Sequence, residues 1–192
     1  MKPKERVLLS ILVLAKDRRK LTQKEIAEVS GCSISTVNSV VNNLEGIGAV
    51  RRVLRGFFVQ DYEKTLLLFS SYRTLEKDIV YSTFCSSSPE RIEASMPFNV
   101  LFTAYSGYKI LFGEPLADYG EVYVYSQDPG EVKERFPPAK GPPNIFVLRW
   151  DKILAAYHQG NCVPIPLLFA DIWSLPHWYS KEYIKGLRER IL

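Results

Sequence analysis

The chain has 192 residues and is 46% hydrophobic and 24% charged. That is ordinary composition for a globular protein of one or two domains, and it excludes a disordered or fibrous chain. The net charge of +4 is unevenly placed: residues 1–60 hold 11 Lys and Arg against 5 Asp and Glu, while residues 61–192 hold 14 against 16. A positive field on the first third attracts polyanions.

The longest strongly apolar stretch, residues 7–15 (VLLSILVLA), is far shorter than the roughly 20 residues that cross a bilayer. The run KDRRK follows it where a secretory leader would carry small residues. No membrane partner is therefore expected. The three cysteines (Cys32, Cys85, Cys162) are far apart and have neither zinc-ligand nor CxxC spacing, and His158 and His177 are not placed to help them. Buried, reduced thiols in a cytoplasmic protein are expected, with no metal and no cofactor.

Residues 5–16 repeat apolar groups at Val7, Leu8, Ile11, Leu12, Leu14 and Ala15, the stripe of an amphipathic helix. Thr22 and Glu25 then form a capping box. A short helix follows over Gln23–Ser30, with Ile26 and Ala27 inward. Gly31 is placed to stop it with a left-handed residue. Ser33 is a good N-cap for a second helix running to about residue 46, with Ile34, Val37, Val40, Val41 and Leu44 inward.

This pattern is a helix-turn-helix. The outward face of its second helix carries Ser35, Ser39 and Asn42, flanked by Thr36, Asn38 and Asn43. A merely solvated helix carries Lys and Glu there, because they are better helix formers. Short polar groups instead suit contact with base edges in a major groove, and Asn can pair with adenine. Ser35, Thr36, Ser39 and Asn42 are thus candidate base contacts, with Asn38 and Asn43 nearer the backbone, and Ser33 counts with them among the DNA-binding residues.

Residues 49–54 and 57–60 read as two strands joined by a turn at Arg55 and Gly56. With this hairpin the first 61 residues make a winged helix. Arg51, Arg52 and Arg55 would engage phosphates from the wing, assisted by Lys24 and by Arg18 and Arg19.

The rest of the chain predicts a mixed α/β domain, making the whole α+β. Residues 62–80 are expected to be helical, within a connector spanning 62–90, and residues 91–192 to form the second domain. CSSSPE (85–90) and FPPAKGPPN (136–144) read as loops, and QDPG (127–130) as a turn. Residues 96–102 are a candidate strand or helix entry. A short helix over 105–112 is closed by Gly113. Strands are expected at 121–126 and 145–150, and a C-terminal helix over Ser180–Ile191 that Ser180 is placed to cap. WSLPHWY (173–179) reads as core or interface.

Two resemblances bear on function. SGYKILFG (106–113) and EVYVY (121–125) are spaced like the Gly-Ser turn and Asp-x-Asp strand of the nucleotidyltransferase superfamily. Tyr108 stands where that family has Ser, and Glu121 and Tyr123 take the carboxylate positions. A phenol does not replace a metal-holding carboxylate, so this likeness implies a degenerate scaffold without catalytic residues.

The order of parts also resembles AbiEi-type abortive-infection antitoxins and their regulator relatives. TQKEIAEVSGCSISTVNSVVNNLEGIGAVRRV, FTAYSGYKILFG with EVYVYS, and PIPLLFADIW before the last helix carry the likeness. It implies a repressor of its own promoter that counteracts a nucleotidyltransferase-like toxin. The expected function is a double-stranded-DNA-binding transcriptional regulator and not an enzyme. A homodimer through residues 62–80 or the last helix is expected by analogy. The alternatives are a protein-interaction or toxin-neutralising module without DNA binding, and an active nucleotidyltransferase.

Overall fold

A computed structural model describes residues 1–17 and 20–191, and the chain divides into two compact units, Met1–Arg73 and Thr74–Ile191. The first unit contains α1 (Pro3–Asp17), α2 (Gln23–Ser30), α3 (Ile34–Gly46), β1 (Val50–Val53), β2 (Gly56–Val59) and α4 (Tyr62–Tyr72). α1 packs on α2, α3 and α4. Its Val7, Leu8, Ile11 and Leu12 are fully buried and meet a core that includes Ile26, Val37, Leu44 and Phe69.

Gly31 ends α2 at φ 62°, the left-handed cap its position predicts. Ile26 is buried as expected, whereas Ala27 is only half-buried. Ile34, expected inward, is 57% exposed at the first position of α3, whereas Val37 and Val41 further along the helix are fully buried.

The hairpin turns one residue earlier than expected. Val53 pairs with Gly56, so the two-residue loop is Leu54-Arg55. Arg55 takes the left-handed conformation, at φ 59°. Gly56 lies at the start of β2, where Leu21 joins as a bridge partner of Phe57 through reciprocal backbone hydrogen bonds of 2.9 and 2.8 Å. A Cβ on Gly56 would come 2.4 Å from the Leu21 carbonyl oxygen, so close backbone approach explains the glycine.

The helix expected over 62–80 ends at Tyr72. Arg73 caps it in extended conformation, and its guanidinium pairs with the Glu5 carboxylate of α1 at 3.5 Å, both side chains being buried. α4 therefore belongs with the first unit. Residues 75–83, expected as helix and connector, form a 3-10 turn (Leu75–Asp78) and β3 (Ile79–Thr83).

The second unit continues with α5 (Pro89–Ala94), β4 (Val100–Thr103), α6 (Ala104–Phe112), β5 (Val122–Ser126), α7 (Pro129–Arg135), β6 (Ile145–Arg149), α8 (Leu154–Tyr157), α9 (Ile165–Trp173) and α10 (Ser180–Ile191). Its sheet has the order β3-β6-β5-β4, parallel only between β5 and β6. Strand alternation sends Phe102, Val124 and Val147 into one cluster with Ile92 of α5 and Val132 of α7. The opposite face carries Thr103 and Tyr125, whose hydroxyls donate to the buried Asp171 carboxylate of α9 at 2.8 and 2.9 Å.

Two expected irregular segments are partly helical. QDPG opens α7, where Asp128 accepts from the Gly130 amide at 2.9 Å and Pro129 takes the first helical position. CSSSPE ends in α5, again with Pro first. Gly107 lies inside α6, not in the turn that the nucleotidyltransferase-like reading needs, and Tyr123 stacks on Phe146 with centroids 4.6 Å apart.

The thiols also differ from expectation. Cys162 is buried, and that burial pushes its pKa up to about 12. Cys32 and Cys85 are free but only half-buried. Among the described residues no helix is long and apolar enough to cross a membrane, and no group of His, Cys, Asp and Glu could hold a metal ion.

Candidate nucleic-acid interface

The first unit carries the candidate site on α3, the start of α2 and the hairpin. Thr22 caps α2 by accepting from the Glu25 amide at 3.2 Å. Ser33 caps α3 by accepting from the Thr36 amide at 3.2 Å, and the two hydroxyls lie 2.9 Å apart. Ser33 and Thr36 are therefore engaged in ending the turn. Ser35, Asn38, Ser39, Asn42 and Asn43 are exposed along α3. Ile34, expected inward, adds an exposed apolar side chain to this surface.

Arg52 joins the hairpin to α3. Its Nε donates to Glu45 Oε2 at 2.9 Å, and its Nη2 donates to Asn38 Oδ1 at 3.0 Å and to Asn42 Oδ1. Gln23 Nε2 of α2 donates to the same Asn38 oxygen at 3.2 Å. A guanidinium has donors only, so it fixes which way both amides face. Their oxygens turn toward Arg52, leaving the Nδ2 donors for other partners. Gln23 and Glu45 belong to this network, and sequence spacing gave no signal for either.

Arg51 and Arg52 are neighbours on β1 and so point to opposite sides of the hairpin. Arg51 lies over the Phe58 ring, 5.8 Å from its centroid, away from the Arg52 network. The three wing arginines therefore do not form one patch. Arg52 and Arg55 do line a common cleft of about 540 Å³ with Lys24 and the start of α2. Lys20 adds a further exposed cation to the hairpin, donating to the Leu54 carbonyl at 2.9 Å. Arg18 and Arg19 lie outside the described residues.

The apex is costly for the residues it holds. Leu54 is 84% exposed, and Arg55 occupies a backbone region where Gly or Asn would be unstrained.

Residues 5–53 match the family model described as the MarR family. The match spans the three helices and the first strand of the winged helix-turn-helix, so this region is similar to MarR-type transcriptional regulators. MarR family regulators are non-catalytic DNA-binding proteins, and the match to them ends within the first unit. No curated protein and no solved structure matches the chain.

Proposed function

We propose that the first unit binds double-stranded DNA sequence-selectively, with α3 in the major groove, and that the protein is a transcriptional regulator. The Arg52 network carries this reading. A surface helix gains little by having two asparagines ordered by a guanidinium from a separate element, since exposed polar contacts contribute little stability. A reading surface gains more, because side chains held in advance lose less entropy on binding.

The orientation of the amides narrows what they read. Asn38 Oδ1 accepts from both Gln23 and Arg52, which fills its two lone pairs. Asn38 therefore approaches a base edge as a donor. Asn42 keeps one lone pair beside its two donors. These donors suit acceptor-rich edges such as guanine N7 and O6, in place of the bidentate asparagine–adenine pair expected from the sequence. Ser35, Ser39 and Ile34 lie on the same helix for further base contacts. Lys24 and Arg55, in the cleft between α2 and the hairpin, engage phosphates, and Lys20 and Arg51 add to the field around them.

The likeness to AbiEi-type antitoxins supports a finer reading, a repressor of its own promoter that counteracts a toxin. Selection of bound sites from a random duplex pool, followed by salt titration on the winner and on a scrambled duplex, tests DNA reading. A selected motif bound far above the scrambled control, with affinity falling steeply as salt rises, is expected. Salt-independent binding, or equal affinity for both duplexes, would overturn it.

A further inference from the structure

In the second unit α9 and α10 enclose a groove of about 490 Å³. Ile172, Trp173 and Ile184 make its apolar part. Trp173 ends α9 and is 46% exposed, and its indole stacks at 17° on the fully buried Phe169 ring. The exposed ring is thus held in place from behind.

Lys181, Lys185 and Arg188 form the rim. They recur at i, i+4 and i+7 on α10, so they make one exposed stripe beside the buried residues Tyr183, Ile184 and Leu187. Glu182 of this helix approaches Lys181, its carboxylate oxygen 4.0 Å from the ammonium, but none of the residues lining the groove is a carboxylate. Three cations thus line a groove that holds no acid, and its exposed indole leaves apolar surface in water. One kind of occupant complements both features.

We propose that this groove binds a small amphipathic organic anion. Its apolar body lies against Trp173 and Ile184, and its acidic head sits among the cations of α10. The volume falls within the roughly 300–1,000 Å³ typical of small-molecule sites. A protein partner would bury about 800 Å² on each side, more surface than these few residues provide. The site lies wholly within the second unit and does not depend on the DNA reading of the first.

The test uses the full chain and two dyes with the same rings: 8-anilinonaphthalene-1-sulfonate and its neutral analogue N-phenyl-1-naphthylamine. Saturable one-site binding of the sulfonate is expected, with energy transfer from tryptophan and an affinity about tenfold above that of the neutral dye. The double variant Lys181→Glu/Lys185→Glu changes only exposed positions, so the fold, followed by circular dichroism, should persist. It should lose about tenfold in sulfonate affinity while neutral-dye binding stays unchanged. Trp173→Ala should weaken both dyes. Equal affinity for the two dyes, wild-type sulfonate binding by the charge-reversed variant, or capture of an acidic peptide but neither dye would each overturn the proposal.

Discussion

Arg52 of the hairpin donates to the side-chain oxygen of Asn42 on the neighbouring helix, so a residue of the wing sets the orientation of a residue on the outward face of α3. Its guanidinium is committed to Asn38, Asn42 and Glu45 rather than free to meet a phosphate. That separates Arg52 from Arg55 in the same cleft. Arg52→Ala should therefore relax base preference at the position assigned to Asn42, as Asn42→Ala should. Arg55→Ala should weaken binding on all sequences alike and reduce the salt slope by about one. Gel shifts of both variants on the selected and scrambled duplexes check this. Matching profiles for Arg52→Ala and Arg55→Ala would make Arg52 a backbone contact after all.

Glu45 holds the other edge of the same guanidinium at 2.9 Å. Glu45→Ala removes a negative charge from the interface and releases Arg52. Affinity for scrambled duplex should rise at low salt while the ratio of specific to non-specific binding falls. Fluorescence anisotropy at two salt concentrations reads both numbers.

Glu5 and Arg73 form a buried pair between α1 and the end of α4, with side chains only 3% and 1% exposed. Removing one partner strands a charge in the interior. Glu5→Ala should cost the first unit about 3–5 kcal/mol, seen as a lower urea midpoint, whereas Glu5→Met/Arg73→Met should recover much of that loss. A double variant no more stable than the single would show that the pair's other hydrogen bonds dominate.

Gly56 is needed for space, not for a positive φ. Gly56→Ala should push β2 from Leu21 and cost about 1–3 kcal/mol, because the atom a methyl would meet is backbone. Thermal unfolding checks it; an unchanged midpoint would mean the hairpin shifts freely.

The second unit should be sensitive to alkali. Burial raises the phenol pKa of Tyr105, Tyr123 and Tyr183, the last to about 12 from an ordinary 10.0. For Tyr119 and Tyr179 burial is again the main cause, reinforced by hydrogen bonds to Glu93 and Glu121. A raised acid holds its proton longer when folded than when unfolded. Its contribution to stability is therefore full below the unfolded value near 10 and is lost as pH rises through the folded values. Tyrosinate absorbance should appear late and together with unfolding. Early, reversible ionisation of all these phenols would contradict their burial.

Local pattern made α3 legible. Gly31, the caps at Thr22 and Ser33, and the apolar spacing of Val37, Val41 and Leu44 each act within a few residues, so sequence alone shows them. The second unit was legible where the signal was equally local, as in β5, β6 and α10. It was misread at Asp128-Pro129 and Ser88-Pro89, because a proline preceded by a capping residue opens a helix as readily as it makes a turn. β3 was missed because its partner, β6, lies more than sixty residues further along the chain.

The sequence by itself determined a basic helix-turn-helix with a small polar outward face, since periodicity, capping and charge are properties of neighbouring residues. Only the tertiary structure decided how those side chains are used: that Arg52 turns inward to the asparagines, that Arg51 leaves them, and that three cations of α10 surround a tryptophan at the end of α9. Each of these depends on which surfaces meet when distant elements pack, and spacing along one element carries no record of what faces it.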